Sequence, residues 1–229
     1  PSIERPSIYS DVNLGGTVNL LQSCVKHGVK RICFASSSSV YGDRQRIPFS
    51  EDDEVSQPIS PYAATKRSGE LLAYTWHHLF KLHIHCLRFF TVYGPRQRPE
   101  MAIAKFVDLI DNDQPVDIYG DGHSARDYTY IDDIIDGLVQ SIECVDGYGI
   151  YNLGNSVPTK LLDLVSLIGQ SLGKEPILNF KPTQPGDVSI TYADLTRSKK
   201  DLAYEPKTPM NIGISKYVDW YRLSDSVLV

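Results

Sequence analysis

Long apolar runs are missing from this sequence, and crossing a bilayer takes about 20 such residues in a row. No secretory-leader pattern or lipidation motif is recognisable either, so the expectation is a soluble cytoplasmic protein with no membrane partner. Cysteine is sparse: Cys24, Cys33, Cys86 and Cys144 lie far apart without a C-x-x-C. Buried, reduced thiols are therefore expected rather than disulfides or a metal site. His77-His78 and the His83/His85 pair have no acidic or cysteine partner at ligand spacing, so no metal is expected. Positive charge is not in excess; the net charge of −5 speaks against a nucleic-acid partner. The absence with the widest consequence is a glycine pattern, G-x-G-x-x-G or G-x-x-G-x-x-G, opening a helix after a strand. Gly15-Gly16 falls inside a helical stretch, and no glycine completes Gly120-Asp121-Gly122. What remains is ordinary for a globular chain, 41% hydrophobic and 22% charged over 229 residues, with ample material for a core.

The richest stretch runs from Ala35 to Gly69. Arg31-Ile32-Cys33-Phe34-Ala35 reads as a buried parallel strand. It leads into Ser36-Ser37-Ser38-Ser39-Val40-Tyr41-Gly42, and after a polar loop comes Ser60-Pro61-Tyr62-Ala63-Ala64-Thr65-Lys66. Pro61 suits the first turn of a helix, with Ser60 as its N-cap, and Leu71, Leu72, Tyr74, Thr75 and Leu79 continue at helical spacing. Tyr62 and Lys66, four apart, then share a helix face about 5–6 Å apart at Cβ. A free tyrosine ionises near pH 10, and a fixed ammonium nearby favours the phenolate. With fourteen tyrosines in the chain, a Tyr-x-x-x-Lys spacing alone means little. Its position, opening a helix just after a strand that ends in serines, is what makes it informative.

Elsewhere, Tyr9 to His27 reads as a helix with Val12, Leu20, Leu21, Cys24 and Val25 on an apolar face and Gly28 as C-cap. Ile84 to Phe90 is a strand, followed by a loop from Thr91 to Pro95. Arg96 to Met101 opens a helix with Ile103, Phe106, Val107 and Ile110 inward. Val116 to Tyr119 and Gly149 to Gly154 are strands. Ile134 to Cys144 is a helix N-capped by Asp132. Leu161 to Leu172, Leu195 to Leu202 and Ile212 to Leu223 are helices, with Tyr217 and Trp220 in the core. Two arginines in the loop before Met101 suit bidentate binding of a carboxylate or phosphate.

Ser-Ser-x-x-Val-Tyr-Gly followed by Pro-Tyr-x-x-x-Lys resembles the extended short-chain dehydrogenase/reductases that act on sugar nucleotides, and the resemblance covers nearly the whole chain. It implies an α/β fold: a Rossmann-like parallel sheet without its first strands, and a smaller C-terminal α/β substrate lobe. The implied boundaries are 1–94 for a partial NAD-binding domain and 95–229 for mainly the substrate lobe, with some segments returning to the sheet. The family's pyrophosphate-binding glycines would precede Pro1, so the chain is expected to be N-terminally truncated. The implied catalytic set is Ser37, Tyr62 and Lys66. Ser36, Tyr62, Lys66 and Phe89 would contact NAD. Asn13, Ser38, Ser39, Thr91, Arg98, Tyr119, Arg126 and Asp187 would contact a UDP-sugar. A homodimer through a four-helix bundle, built by the helices Tyr9–His27 and Tyr62–Phe80, is also implied.

Gly-Pro-x-x-Arg-Pro-x-Met-Ala is similar to UDP-glucuronate 4-epimerases, where an arginine at the position of Arg98 would hold the sugar carboxylate. Sugar-nucleotide 4,6-dehydratases put Asp-Glu where Ser38 and Ser39 stand, so an elimination would lack its carboxylates. Between glucuronate and glucose epimerases, Arg98, Thr91 and Gln184 favour C4 epimerisation of UDP-glucuronate. The alternatives are a UDP-glucose 4-epimerase, an inactive UDP-sugar-binding fragment, and a pure interaction protein.

Overall fold

A computed structural model describes residues 2–182 and 190–225. In chain order it contains α1 (Pro6–Ser10), a π-helical turn (Asp11–Gly15), α2 (Gly16–His27), β1 (Arg31–Ser37), a 3-10 turn (Ser38–Tyr41), α3 (Pro61–Phe80), β2 (His83–Phe89), β3 (Thr91–Tyr93) and α4 (Ala102–Asp111). There follow β4 (Val116–Tyr119), β5 (Ala125–Tyr130), α5 (Ile131–Cys144), β6 (Tyr148–Leu153), β7 (Pro158–Lys160), α6 (Leu161–Leu172), β8 (Leu178–Lys181), β9 (Ile190–Thr191), α7 (Thr196–Leu202) and α8 (Met210–Asp225).

The fold is α/β, and its organising sheet is parallel, in the order β1-β2-β6. Alternation along a strand sends successive side chains to opposite faces. Ile32, Phe34, Ile84 and Cys86 pack with Leu21, Cys24 and Ala73 beneath α2 and α3. Cys33, Leu87 and Tyr151 instead pack with Ile134 and Leu138 of α5 on the other side. Covering both faces is what a parallel sheet requires. β6, from the second half of the chain, completes this sheet. A second sheet joins β3, β5 and β7, with β9 beside β5, and β4 pairs with β8. α4, α6 and α8 close a separate core over Val116, Ile118, Tyr128 and Tyr130. Among the described residues no helix is long and apolar enough to cross a membrane.

Local chemistry sets the element ends as the sequence suggests. Ser60 Oγ accepts from Ala63 N at 3.1 Å, capping α3. Gly28 and Gly173 close α2 and α6 in the left-handed conformation. Several expectations need correction. Thr91–Tyr93 is a strand, not a loop, because it pairs in parallel with Tyr128–Tyr130 of β5. α5 starts at Ile131 directly off β5, so Tyr130 is its N-cap and Asp132 sits in the first turn, 3.7 Å from Lys216. The first helical stretch is broken by the π turn, and its apolar residues divide. Leu21 and Cys24 are buried, whereas Val12 and Leu20 are exposed. Leu71, Tyr74 and Leu79 of α3 are likewise exposed. Cys144 is exposed rather than buried, while Cys24 and Cys86 are buried, and all four thiols are free.

Asp127 ties β5 to the turn after β6 and to the approach to α7. It is fully buried and accepts from Asn155 N (2.7 Å), Ser156 N (3.0 Å), Ala193 N (3.0 Å) and Thr129 Oγ1 (3.1 Å). Burial pushes its carboxyl above the usual range, against the pull of those donors. Asp127→Ala strands three buried amides, each costing about 1–3 kcal/mol. The variant is expected to lose about 3 kcal/mol or more and melt roughly 6–12 °C lower by calorimetry or circular dichroism.

Candidate active site

Tyr62 lies in the first turn of α3, where the Ser60 cap and Pro61 fix the helix start. One turn on, Lys66 Nζ donates to Ala35 O at 2.9 Å, at the C-terminal end of β1. The ammonium sits 5.7 Å from the centroid of the Tyr62 ring and 5.7 Å from that of Phe34. Partial burial lowers the Lys66 pKa. A cleft of about 520 Å³ opens at this carboxyl edge of the sheet, where open α/β sheets bind their ligands. Tyr62, Ser36, Ser37, Ser38, Phe89 and Thr91 line it, together with Arg98. Ser37 Oγ accepts from Ser39 N (3.2 Å) and Ser39 Oγ (3.0 Å), which leaves its own proton to donate elsewhere.

A network centred on the buried Glu70–Arg88 pair sets the register of α3 on the sheet. Glu70 Oε1 accepts from Arg88 Nε (2.8 Å) and Ser36 Oγ (2.6 Å), and Oε2 from Arg88 Nη2 (2.9 Å) and Arg67 Nη1 (2.9 Å). Burial alone would raise the Glu70 carboxyl; Arg88, then Ser36 and Arg67, outweigh it and hold it below the usual range. The Arg88 guanidinium carbon lies 4.9 Å from the Tyr41 ring centroid, a cation–π contact.

The sequence-derived site residues divide into three groups. Ser37, Ser38, Tyr62, Phe89, Thr91 and Arg98 converge on one cleft, with Lys66 beside it. Ser36 reaches the cleft, and its hydroxyl proton is donated to Glu70 Oε1. Ser39 turns its hydroxyl onto Ser37, so it orients a neighbour rather than lining the cleft. Asn13 Nδ2 donates to Thr65 Oγ1 at 2.9 Å, and Thr65 Oγ1 donates to Tyr62 O at 2.8 Å. Asn13 thus braces the first turn of α3 and is not among the residues lining the cleft. Tyr119, at the end of β4, and Arg126, in β5, lie outside the cleft lining too. Asp187 and Gln184 fall outside the described residues. Sequence reasoning missed Gln97, Phe90, Val92 and Met101 in the lining, and the Glu70–Arg88 pair behind it. A lone arginine inside the apolar run of β2 was the available signal, since a buried cation calls for a buried carboxylate.

A parallel α/β sheet with serine, tyrosine and lysine gathered at its carboxyl edge defines a short-chain dehydrogenase/reductase type of enzyme. The model of the NAD-dependent epimerase/dehydratase family matches residues 1–154, and the chain belongs to that family, whose cofactor is NAD. A UDP-glucuronate 4-epimerase of Thermodesulfobacterium geofontis is 43% identical over 220 residues, covering 96% of this chain and 68% of the relative. The Bacillus cereus UDP-glucuronic acid 4-epimerase, solved with UDP-glucuronic acid and NAD, superposes with a TM-score of 0.87 at 35% identity, over 94% of this chain and 68% of that one. MoeE5, solved with NAD and either UDP-glucose or UDP-glucuronic acid, gives a TM-score of 0.91 at 35% identity, over 98% of this chain and 75% of that one.

Removing one partner of a buried ion pair leaves an uncompensated charge, costing about 3–5 kcal/mol. Glu70→Gln is expected to lose a stability of that order at pH 7, measured by denaturant unfolding. Because the Glu70 carboxyl is held low when folded, its contribution is present above the unfolded value near pH 4.3 and fades as pH falls below it. The gap between wild type and Glu70→Gln should therefore be constant above about pH 5 and narrow below about pH 4.

Proposed function

We propose that the protein catalyses NAD-dependent C4 epimerisation of a UDP-sugar, UDP-glucuronate to UDP-galacturonate, through a 4-keto sugar. The observation that carries this reading is a single cleft lined by Tyr62, Ser37 and Arg98, with the Lys66 ammonium 5.7 Å from the tyrosine ring. The residues present suit the nicotinamide and ribose end of NAD. Lys66 sits at the sheet edge with a strand carbonyl for support, and Phe89 offers an aromatic face in the same cleft. NAD, when bound, supplies the acceptor and donor of a hydride at C4.

Tyr62 as phenolate takes the C4 hydroxyl proton and later returns it. Lys66, 5.7 Å from the centroid of the Tyr62 ring, would hold the cofactor ribose. Ser37 donates to the same sugar oxygen, its lone pairs already engaged by Ser39. Turning the keto sugar over exposes its other face, which inverts C4. Ser38 and Ser39 carry no carboxylate, so the residues that a dehydratase needs to expel water are missing from these positions. Residues 1–94 serve the cofactor and 95–229 mainly the sugar nucleotide. The exposed apolar residues Ile8, Val12, Leu20, Leu71 and Leu79 of α1 to α3 support a homodimer built on these helices.

Arg98 would pair with the sugar carboxylate in place of its exposed contact with Glu100 at 3.3 Å. The carboxylate is the group that separates UDP-glucuronate from UDP-glucose. MoeE5 has been captured with either sugar nucleotide, and this keeps UDP-glucose as the second reading. In the full-length protein, Tyr62→Phe is expected to lower kcat by about 10²–10⁴ with KM little changed. Arg98→Ala should lower kcat/KM for UDP-glucuronate about 10–100-fold and for UDP-glucose less than about threefold, from charge-assisted bonds of about 1.5–3 kcal/mol. Equal losses for both sugars would overturn the glucuronate assignment.

A further inference from the structure

We propose that Gln97 is a positioning residue that holds the arginine loop against its scaffold and thereby sets the preference for a carboxylated sugar. The inference rests on the reading of Arg98 as the carboxylate partner. The loop runs from Gly94 at the end of β3 to Met101 at the start of α4. Its backbone is unusual at two points. Gly94 has φ 152°, and a Cβ there would meet Ile131 Cβ at 2.9 Å, so the turn demands glycine. Arg96 is left-handed at φ 65°, a strained conformation for a residue with a Cβ, and it persists only where the surroundings over-determine it.

Gln97 supplies that constraint. Its amide N donates to Gly94 O at 3.1 Å, closing the turn that contains Arg96. Its side-chain Nε2 donates to Val92 O at 3.0 Å, on β3. Its Oε1 accepts from Ala104 N at 3.3 Å, in the first turn of α4. That N–H has no partner within the helix, and the N-cap residue Met101 makes no side-chain cap hydrogen bond. One amide therefore ties a strand carbonyl to a helix N-terminus and clamps the loop at both ends.

Arg96 and Arg98 flank this clamp, and both line the cleft that holds Tyr62 and Ser37. The Arg98 guanidinium is not pinned by its own contacts. Its side chain is 73% exposed, and it meets the exposed Glu100 at 3.3 Å and Met101 Sδ at 3.8 Å. Its position is inherited from the backbone, and Gln97 fixes that backbone. A carboxylate-reading arginine needs a set position for bidentate contact, whereas an uncharged hydroxymethyl group asks nothing of it. Loss of the clamp should therefore weaken one sugar nucleotide and spare the other.

The test uses the full-length protein with Gln97→Met, which keeps the length of the side chain and removes both of its hydrogen bonds, and with Gln97→Ala. Dissociation constants for UDP-glucuronate and UDP-glucose are measured by calorimetry, and kcat and KM for each sugar, beside a thermal melt. The expectation is a rise of about tenfold in Kd and KM for UDP-glucuronate, less than twofold for UDP-glucose, with kcat within about threefold. Equal weakening of both sugars would show a merely structural role and overturn the proposal. Arg98→Ala, run in parallel, separates the two readings. Discrimination lost in Arg98→Ala but kept in Gln97→Met overturns the positioning role alone. Discrimination kept in both overturns it together with the carboxylate reading.

Discussion

Glu70 and Arg88, 0% and 1% exposed, form an ion pair through two hydrogen bonds between α3 and β2, and the site geometry follows from it. A buried pair of this kind is weak evidence of stability, because desolvation offsets most of the attraction. Its stronger effect is on register. A guanidinium fork accepts a carboxylate in one orientation, and sliding α3 by a residue would leave both charges buried and unpaired. Tyr62, Lys66 and Glu70 are spaced by four, so they form one stripe along α3. Glu70 anchors the stripe inside, Lys66 rests on the Ala35 carbonyl of β1, and Tyr62 reaches the cleft. Ser36 ties the serine strand to the same carboxylate, so the tyrosine and serine sides of the site share one anchor.

The molecule buries two carboxylates by different means. Glu70 is met by cations and is held ionised below its usual range. Asp127 is met by backbone amides and one hydroxyl, and burial pushes it upward. Glu70 lies behind the cleft and fixes a helix to a sheet. Asp127 lies where β5, the turn after β6 and the approach to α7 meet. Glu70 thus anchors the elements behind the cleft, and Asp127 anchors a junction within the second half of the chain.

Much of this was legible in residue order. Ser60-Pro61 marks the start of α3, Gly28 and Gly173 mark helix ends, and the spacing of Tyr62 and Lys66 places them together because a helix repeats every 3.6 residues. Ile103, Phe106, Val107 and Ile110 are inward as their periodicity implies. What could not be read depends on partners distant in sequence. Thr91–Tyr93 becomes a strand only because β5 lies beside it. Asn13 has the composition of a binding residue, yet the π turn aims its amide at Thr65. Ser36 and Ser37 are adjacent and chemically identical, and strand alternation alone sends one to Glu70 and the other to the cleft mouth. Gln97 looks like a solvated loop residue until both ends of its loop are seen.

The central claim is that C4 is oxidised and then reduced within one site, so the hydrogen removed from C4 is the one returned. The most direct measurement follows deuterium. UDP-glucuronate labelled at C4 is incubated in ordinary water with the full-length protein and NAD, and the 4-epimer is examined by mass spectrometry and proton NMR. Retention of the label at C4 of the inverted product is expected. Label lost to solvent, or inversion detected at another carbon, would contradict it.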